Sequence, residues 1–573
     1  MAKQSFKHYF SKNPTVNSQR TLFDMSYTNT TTINTDYCYP VYHQLILPGD
    51  TIVLNYSNMI RMLDPLQVPM MDNLYADMLF FFVPFDQVWD YVPQFFGEKK
   101  RPSDPDISTL PQIQFTSSTL PTVGSVYDYF DIPIANTGDS DNLLTNGFNI
   151  QALPLLSYYA IHDDWIRDEQ RVDYLLDSPD FKAQTFTPDK FSLYKRGKRF
   201  DYFTSTILEP NMPTTTLPLG TSADVYGDGY ALNLTDAPPG TSLSYTNAGL
   251  LFAQSSSPVR LAVGGSMLGD VLLGSSGIGS SVVPVSGNRA FNIPTKEQLN
   301  GVTTDGKSHL YADLSGASAV SVEQLRRAFQ VQAYQEMINR YGSRLPEYIY
   351  AMYGVVTDDL LYRRCEFLGS THQRLSVQPI VQQSASQTNA PLGDLGAIVQ
   401  GGTSQDVFTR SFTQYGYIIG ILNIYADLTY YQGLDKEWSL LDKMDMPLNI
   451  FANLTDQPVY KKELVLTGNA SDDEVFGYQE IYAWAKYRKN TLSGLVRPNA
   501  PQTIGYWSLA QKFASVPVND DTFITSDTDI SRITAVTDDT NTTQHFIVNQ
   551  KFDVKLTREL PAHSNPMKWF SRG

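Results

Sequence analysis

The run MLFFFVP at 78–84 constrains this chain more than any other feature, because it is wholly apolar and closed by a proline. It is too short for an ordinary helix and has no polar side. It therefore reads as a strand covered on both faces, inside a sandwich of packed layers. The neighbouring segments agree. Pro48-Gly49-Asp50 makes a turn, after which Ile52, Leu54 and Tyr56 alternate with Thr51, Val53 and Asn55. Residues 415–431 (YGYIIGILNIYADLTYY) are apolar and aromatic, and 551–557 (KFDVKLT) set Phe552, Val554 and Leu556 on one face. The 35 Tyr and 30 Phe favour pleated, half-buried surfaces. At 573 residues several layers or large insertions are expected, and β architectures run long as one unit.

Two segments have helical spacing. In 153–176, Leu155, Tyr158, Tyr159, Trp165 and Ile166 fall on one apolar side. The second, 321–341, opens on an S-x-x-Q capping box at Ser321 and Gln324. Leu325, Phe329, Ala333, Met337 and Tyr341 then repeat along it, and Gly342 supplies the stop. Between 211 and 290 the texture changes to twelve Gly and only six charges. A plain linker would not need apolar runs such as Leu250–Phe252, so this stretch reads as a loop-rich insertion with a few short strands. The expected organisation is an extended arm at 1–35, the first part of the core at 36–210, a surface insertion at 211–300 and the rest of the core at 301–573.

A formal charge of −16 argues against a surface that binds nucleic acid throughout, and confines any such contact to local basic patches. Lys3, Lys7, Lys12 and Arg20 stand in the first twenty residues without an Asp or Glu. They read as phosphate contacts or as a solvated terminus. Lys195, Arg196, Lys198 and Arg199, followed by Phe200, Tyr202 and Phe203, could neutralise phosphates and stack on bases. The same stretch also reads as a structural turn whose charges pair with a neighbouring chain.

Signals for catalysis do not assemble. Gly301–Ser308 matches G-x-x-x-x-G-K-[ST], but that chemistry needs a strand before the loop and a helix after it. The preceding NIPTKEQLN is polar and holds Pro294, and the following His309–Leu314 alternates like a strand. The seven histidines are scattered with no i,i+4 pair, and Asp472-Asp473-Glu474 lacks the alternate spacing of a calcium loop. Cys38 and Cys365 can build neither a disulfide framework nor a zinc site, which points to synthesis in a reducing compartment. No apolar signal region or membrane-length run is present, so a soluble, cytoplasmically made chain without membrane insertion is expected. No catalytic, cofactor or metal residue is expected.

Six segments taken together carry a resemblance: LPGDTIVL (47–54), PMMDNLYADMLFFFVPFDQVWD (69–90), SLYKRGKRFDYFTS (192–205), LYADLSGASAVSVEQLRRAFQVQ (310–332), ADLTYYQGLDKEW (426–438) and DDEVFGYQEIYAWAKYRKNTLSGLVRP (472–498). In this order they resemble the major capsid proteins of the Microviridae, small tailless phages with circular single-stranded DNA, and in particular the gokushovirus-like branch. The resemblance implies a mainly β fold, an eight-stranded antiparallel jelly-roll sandwich with long inserted loops and a few helices. It also implies self-assembly of copies into a small icosahedral shell around the single-stranded DNA genome, in a virion made and assembled in the bacterial host cytoplasm. A small basic DNA-associated protein and other phage structural proteins would be partners. Residues 211–300 would project outward, where they could meet a host surface receptor, and Leu310–Leu314 would be the strand before the long helix. On this reading Trp89, Tyr91, Phe95 and Phe96 are candidates for subunit-interface anchors. The alternatives are a carbohydrate-binding or host-adhesion β-protein that forms no shell, and a nucleotide-dependent enzyme built on Gly301–Ser308.

Overall fold

A computed structural model describes residues 20–210 apart from 100, 102–106, 136–142, 177–180 and 182. It also describes 322–563 apart from 343, 382–394, 444, 453–455 and 536–543. Between these ranges it describes six short strands at 224–227, 259–263, 266–271, 284–285, 289–290 and 310–313. The chain divides into two units, Met1–Met212 with Glu336–Gly573, and Pro213–Gln335.

The first unit is built on one curled antiparallel sheet. Its strands are β1 (Thr21–Asp24), β2 (Tyr27–Ile33), β3 (Tyr39–Ile46), β4 (Thr51–Met62), β5 (Leu74–Pro84), β6 (Glu366–Val381), β7 (Leu395–Ser411), β8 (Gly416–Ala426) and β9 (Phe546–Arg558). Eight of them follow the path β1-β9-β4-β7-β6-β5-β8-β3, and β2 pairs with β9 off that path. The bend lies in β6. From Glu366 to Leu375 this strand pairs with β5, and from Ser376 to Val381 it pairs with β7. One strand therefore belongs to both halves of the sheet, which lets the halves face each other. Rings meet across the gap: Tyr56 of β4 lies 6.0 Å from Phe80 of β5, and Tyr42 of β3 lies 5.0 Å from Phe552 of β9. The mainly β, antiparallel sandwich of the sequence reading is the architecture found, and it is consistent with a jelly roll.

Side-chain periodicity follows this geometry. Along β4, Ile52, Leu54, Tyr56, Ile60 and Met62 are buried in the gap between the halves. On β9 the same holds for Phe546, Val548, Phe552, Val554 and Leu556. A period of two with one buried face is what a strand with one open side requires. β5 and β8 differ because both of their faces are covered. Phe80 and Phe82 point into the sandwich, while Phe81 and Val83 join a second cluster with Leu155, Leu156, Tyr158, Ile419 and Ile421. The apolar run at 78–84 is thus doubly covered, as its composition demands.

The second cluster is capped by helix α1 (Leu153–Ile161), in which every residue except Pro154 is buried. The helical spacing predicted for 153–176 overshoots. After Ile161 comes a five-residue π-turn, His162–Ile166, and Arg167 is already extended. The stop comes from tertiary contacts. The Asp163 carboxylate turns inward and accepts the N–H groups of Leu175 and Leu176 at 3.0 and 2.9 Å, drawing the following chain back on itself. Arg344 donates to the carbonyls of Asp163 and Asp164, which the turn leaves without helical partners.

Helix α2 (Val322–Tyr341) ends at Gly342, whose φ of +98° is open to glycine without strain. Ser321, the expected cap, lies outside the described residues. Phe329 and Tyr341, part of the predicted apolar repeat, are exposed. Helix α3 (Leu345–Tyr353) follows, with Pro346 in its first turn and left-handed Gly354 as its cap. Leu310–Asp313 is a strand paired with Asp224–Gly227, so the glycine motif at 301–308, itself outside the described residues, is followed by a strand rather than a helix.

Candidate nucleic-acid and subunit interfaces

The basic stretch 195–199 is a strap sewn into its own unit. Arg196 N–H donates to the Asp36 carbonyl at 2.7 Å, and the Arg196 carbonyl accepts from Ser526 at 2.9 Å. Lys198 N–H donates to the Ile524 carbonyl at 2.7 Å. Asp36 holds a left-handed φ of 69° and is buried, and its carboxylate is kept in place by the hydroxyls of Ser526 and Thr528. The positive side chains are thereby fixed in direction.

Their partner is Asp77. Strand register sets Asp77 of β5 between His372 of β6 and Asn423 of β8. His372 Nδ1 lies 2.6 Å from one Asp77 oxygen, and Arg196 donates to the other at 2.9 Å and to Asn423 at 3.2 Å. Arg199 reaches the same carboxylate at 3.4 Å and donates to the Tyr425 hydroxyl. Burial alone would raise the Asp77 carboxyl. The His372 hydrogen bond and the charge and hydrogen bond of Arg196 outweigh it and hold the group below its ordinary value. Both guanidinium groups also lie over the Tyr425 ring, at 4.7 and 4.3 Å.

The lysines of the strap are engaged as well. Lys195 pairs with Asp527 at 2.9 Å and lies over Tyr37. Lys198 sits over Phe523 at 4.5 Å and Phe513 at 5.7 Å, and burial lowers its ammonium to about 8. The structure therefore brings Lys195, Arg196, Lys198 and Arg199 together around acids and rings of the same chain. Arg199 is the most open of them, with about half of its side chain exposed. Arg20 lies elsewhere, donating to the Gly49 carbonyl and to Thr51 Oγ1. Lys3, Lys7 and Lys12 lie outside the described residues.

The aromatic candidates follow β5 at the ends of two single-turn helices, Trp89 after Phe85–Val88, Tyr91 and Phe96 flanking Val92–Phe95, and Phe95 as the last residue of the second. Trp89 is buried, with ring centroids 6.3 Å from Tyr91 and 5.7 Å from Phe95. Phe95 meets Phe96 edge-on, and Phe96 stacks on Tyr415 at 4.6 Å. Tyr91 and Phe96 are exposed, so the four form a ladder that rises from core to surface. The acidic turn 472–474 is consumed locally. Asp472 accepts the Thr467 and Gly468 N–H groups, while Asp473 and Glu474 pair with Lys462 and Lys461.

Asp77 itself carries no local sequence signal. It stands in an apolar strand, and its partners are 119 or more positions away in the chain. Only the cross-strand register and the strap identify it. Cys38 and Cys365 are both buried and free, and burial pushes the Cys38 thiol up to about 12.

Residues 11–568 match the family model described as capsid protein (F protein). Three curated relatives align over most of their length, each named capsid protein VP1. That of Chlamydia phage 1 is 32% identical, covering 98% of this chain and 97% of the relative. That of Bdellovibrio phage phiMH2K is 31% identical, covering 93% and 92%. That of Spiroplasma virus 4 is 29% identical, covering 92% and 91%. A match of this extent, on a chain that folds as an antiparallel β-sandwich, places the chain in the F-type capsid protein family of the Microviridae, as a structural protein of the virion.

Proposed function

We propose that copies of this chain close into a small icosahedral shell around a circular single-stranded DNA genome. The carrying observation is the family match across residues 11–568. A shell that stops growing needs contacts of more than one kind, related by closed symmetry. The ladder from Trp89 and Phe95 up to exposed Tyr91 and Phe96 supports one such contact, since aromatic side chains rooted in a packed base make strong anchors.

The subunit's own phosphate contacts are assigned to Lys3, Lys7, Lys12 and Arg20, and to the strap Lys195, Arg196, Lys198 and Arg199. Arg199 is the favoured member of the strap, because its guanidinium is half exposed and backed by a ring on which a base could continue the stack. With a net charge of −16 the chain leaves most genome neutralisation to other agents, which fits a small basic partner protein. Residues 211–300 are assigned to the outer surface and to host attachment, on the strength of their low charge and high glycine content. The role is structural, without catalysis.

Negative-stain microscopy of the chain expressed alone, and again with the partner genes of its phage, tests the shell. Uniform closed particles are expected. A persistent monomer in both samples would overturn the shell and favour a non-assembling adhesion protein. Particles carrying K195Q and R199Q together are expected to package less DNA, and normal full-length packaging would remove the strap from the list.

A further inference from the structure

On β5, Leu74, Ala76 and Met78 point into the gap between the sheet halves, so Tyr75 and Asp77 stand on the opposite, outer face. That face carries a column of three rings that ends in solvent. Tyr75 lies in the middle. Tyr425 of β8 is 5.7 Å away on one side with 25° between the planes, and His372 of β6 is 5.2 Å away on the other with 21°. Exposure rises along the column: Tyr425 is buried, Tyr75 is partly covered and the His372 side chain is more than half exposed. The end ring is not loose. Its Nδ1 lies 2.6 Å from the Asp77 carboxylate, which as an anion only accepts and so holds the imidazole by its N–H. The same carboxylate pairs with Arg196 and Arg199, so one buried group fixes both the ring and the strap.

Two guanidinium groups flank the column. On the β8 side, Arg199 lies 4.3 Å over the Tyr425 ring and 6.0 Å over the Tyr75 ring. On the β6 side, Arg374 is the register partner of Tyr75, and alternation sets it on the same face as His372. Arg374 is exposed and makes no hydrogen bond or ion pair among the described residues. Phe200, next along the strap, is 81% exposed although its backbone is pinned on both sides. The Arg199 carbonyl accepts the Thr204 hydroxyl at 2.8 Å, and the Asp201 N–H donates to the same hydroxyl oxygen at 2.7 Å. A large ring held in water on a fixed backbone is preorganised for a flat partner, because little ordering remains to be done on binding.

We infer that this face binds an unpaired base of single-stranded nucleic acid, stacked on His372 to lengthen the column, with the neighbouring phosphates on Arg199 and Arg374. Rings and fixed positive charges are the two chemistries such a strand needs, since every base has a π-face and every phosphate a negative charge. Phe200 takes a second base of the same strand. A duplex cannot use the column, because its bases are already stacked on both faces. The inference rests on the reading that the strap meets the genome, and adds to it three residues outside the basic stretch, Tyr75, His372 and Arg374.

The test is fluorescence anisotropy of a short labelled oligothymidylate with the full chain as unassembled subunit. Wild type is expected to bind the single strand, and to bind a duplex of equal length more weakly. H372A and R374Q are each expected to weaken single-strand binding roughly tenfold. H372F keeps a ring without the N–H, and is expected to stay within about threefold of wild type. R374Q alters only an exposed side chain and is expected to unfold within about 2 °C of wild type. Wild-type affinity in both H372A and R374Q would overturn the site. If R199Q still weakened binding in that case, the strap's contact with the genome would stand without the column; if R199Q also bound like wild type, both would fall. An H372F subunit as weak as H372A would overturn the stacking, since the lost hydrogen bond to Asp77 would then carry the effect. A duplex bound as tightly as the single strand would overturn it too. R374Q and H372F keep the test decisive even if H372A misfolds.

Discussion

The Arg196 guanidinium lies 2.9 Å from the Asp77 carboxylate, joining a strap before the variable-textured segment to the centre of the most buried sheet half. This pair decides how the basic stretch behaves. A guanidinium aimed at a nearly buried acid, and shared with Asn423, is first a structural element. Removing one partner leaves the other incompletely paired in a poor solvent. Arg196→Ala is expected to destabilise the subunit by about 2 kcal/mol, below the range for a fully buried pair because His372 and Arg199 still face Asp77. Urea unfolding of the free subunit measures this. A loss under about 0.5 kcal/mol would class the pair with ordinary surface bridges.

The same pair sets a direction for acid stability. The Asp77 carboxyl is held below its ordinary value in the fold, so its contribution is complete at neutral pH and is lost as pH falls below the usual carboxylate range. In Asp77→Asn that loss should be absent, and the unfolding midpoint should fall less steeply between pH 5 and about pH 2. Parallel curves for the two proteins would show that other carboxylates dominate acid unfolding.

Lys198 costs stability at neutral pH, although its pH dependence runs in the same direction as that of Asp77. Burial lowers its ammonium to about 8, so the unfolded chain holds a proton that the folded chain releases between about pH 8 and the ordinary lysine value of 10.5. Stability from this group therefore rises across that window. Lys198→Met is expected to raise the unfolding midpoint at pH 7 and to flatten the rise towards pH 10. The substitution also separates two roles, because a phosphate contact at Lys198 would show as reduced DNA packaging in a subunit that folds better. A K198M subunit less stable than wild type at pH 7 would mean that the ammonium contributes more over Phe523 and Phe513 than its burial costs.

The aromatic ladder divides by burial. Trp89→Ala removes a core side chain and should cost about 3–5 kcal/mol in the free subunit. Tyr91→Ala and Phe96→Ala should change subunit stability by about 1 kcal/mol or less while reducing particle yield, because their rings are exposed in the subunit and the proposed shell contact would cover them. Unfolding curves paired with sedimentation of assembled particles distinguish the two. Equal stability losses for all three would mean that the whole ladder serves the fold.

Gly420 lies at a tight point of the sandwich. A Cβ there would come within 2.6 Å of Met78 Cε, 2.8 Å of Tyr42 Cβ and 2.9 Å of a Phe80 ring carbon. Gly420→Ala is expected to destabilise by about 1–3 kcal/mol through overpacking, with a matching drop in the thermal midpoint. A neutral result would show that Met78 can swing aside.

The sequence by itself marked β4, β5, β8 and β9 as core strands and showed which of them need cover, while β6 and β7, long and largely polar, carry no such pattern. Alternation in β4 and β9 marks one-sided burial, and the unbroken run at 78–84 marks burial on both sides, because side-chain period in a strand is fixed by the backbone. It also determined the family, since segments spread from residue 47 to 498 keep one order. It did not determine where the first helix stops. The spacing of Trp165 and Ile166 continues the helical pattern, yet Asp163 and Arg344 end it through contacts with distant chain. Nor could it say what the basic strap faces. In sequence, Lys195 to Arg199 read as a phosphate contact or as a turn paired with a neighbouring chain, and only the register of β5, β6 and β8 sets Asp77 and Asn423 of the same chain beneath them. Local pattern is set by the backbone's own geometry, whereas charge partners and stopping points are set by which remote residues the closed sheet brings within a few ångströms. That information belongs to the tertiary structure alone.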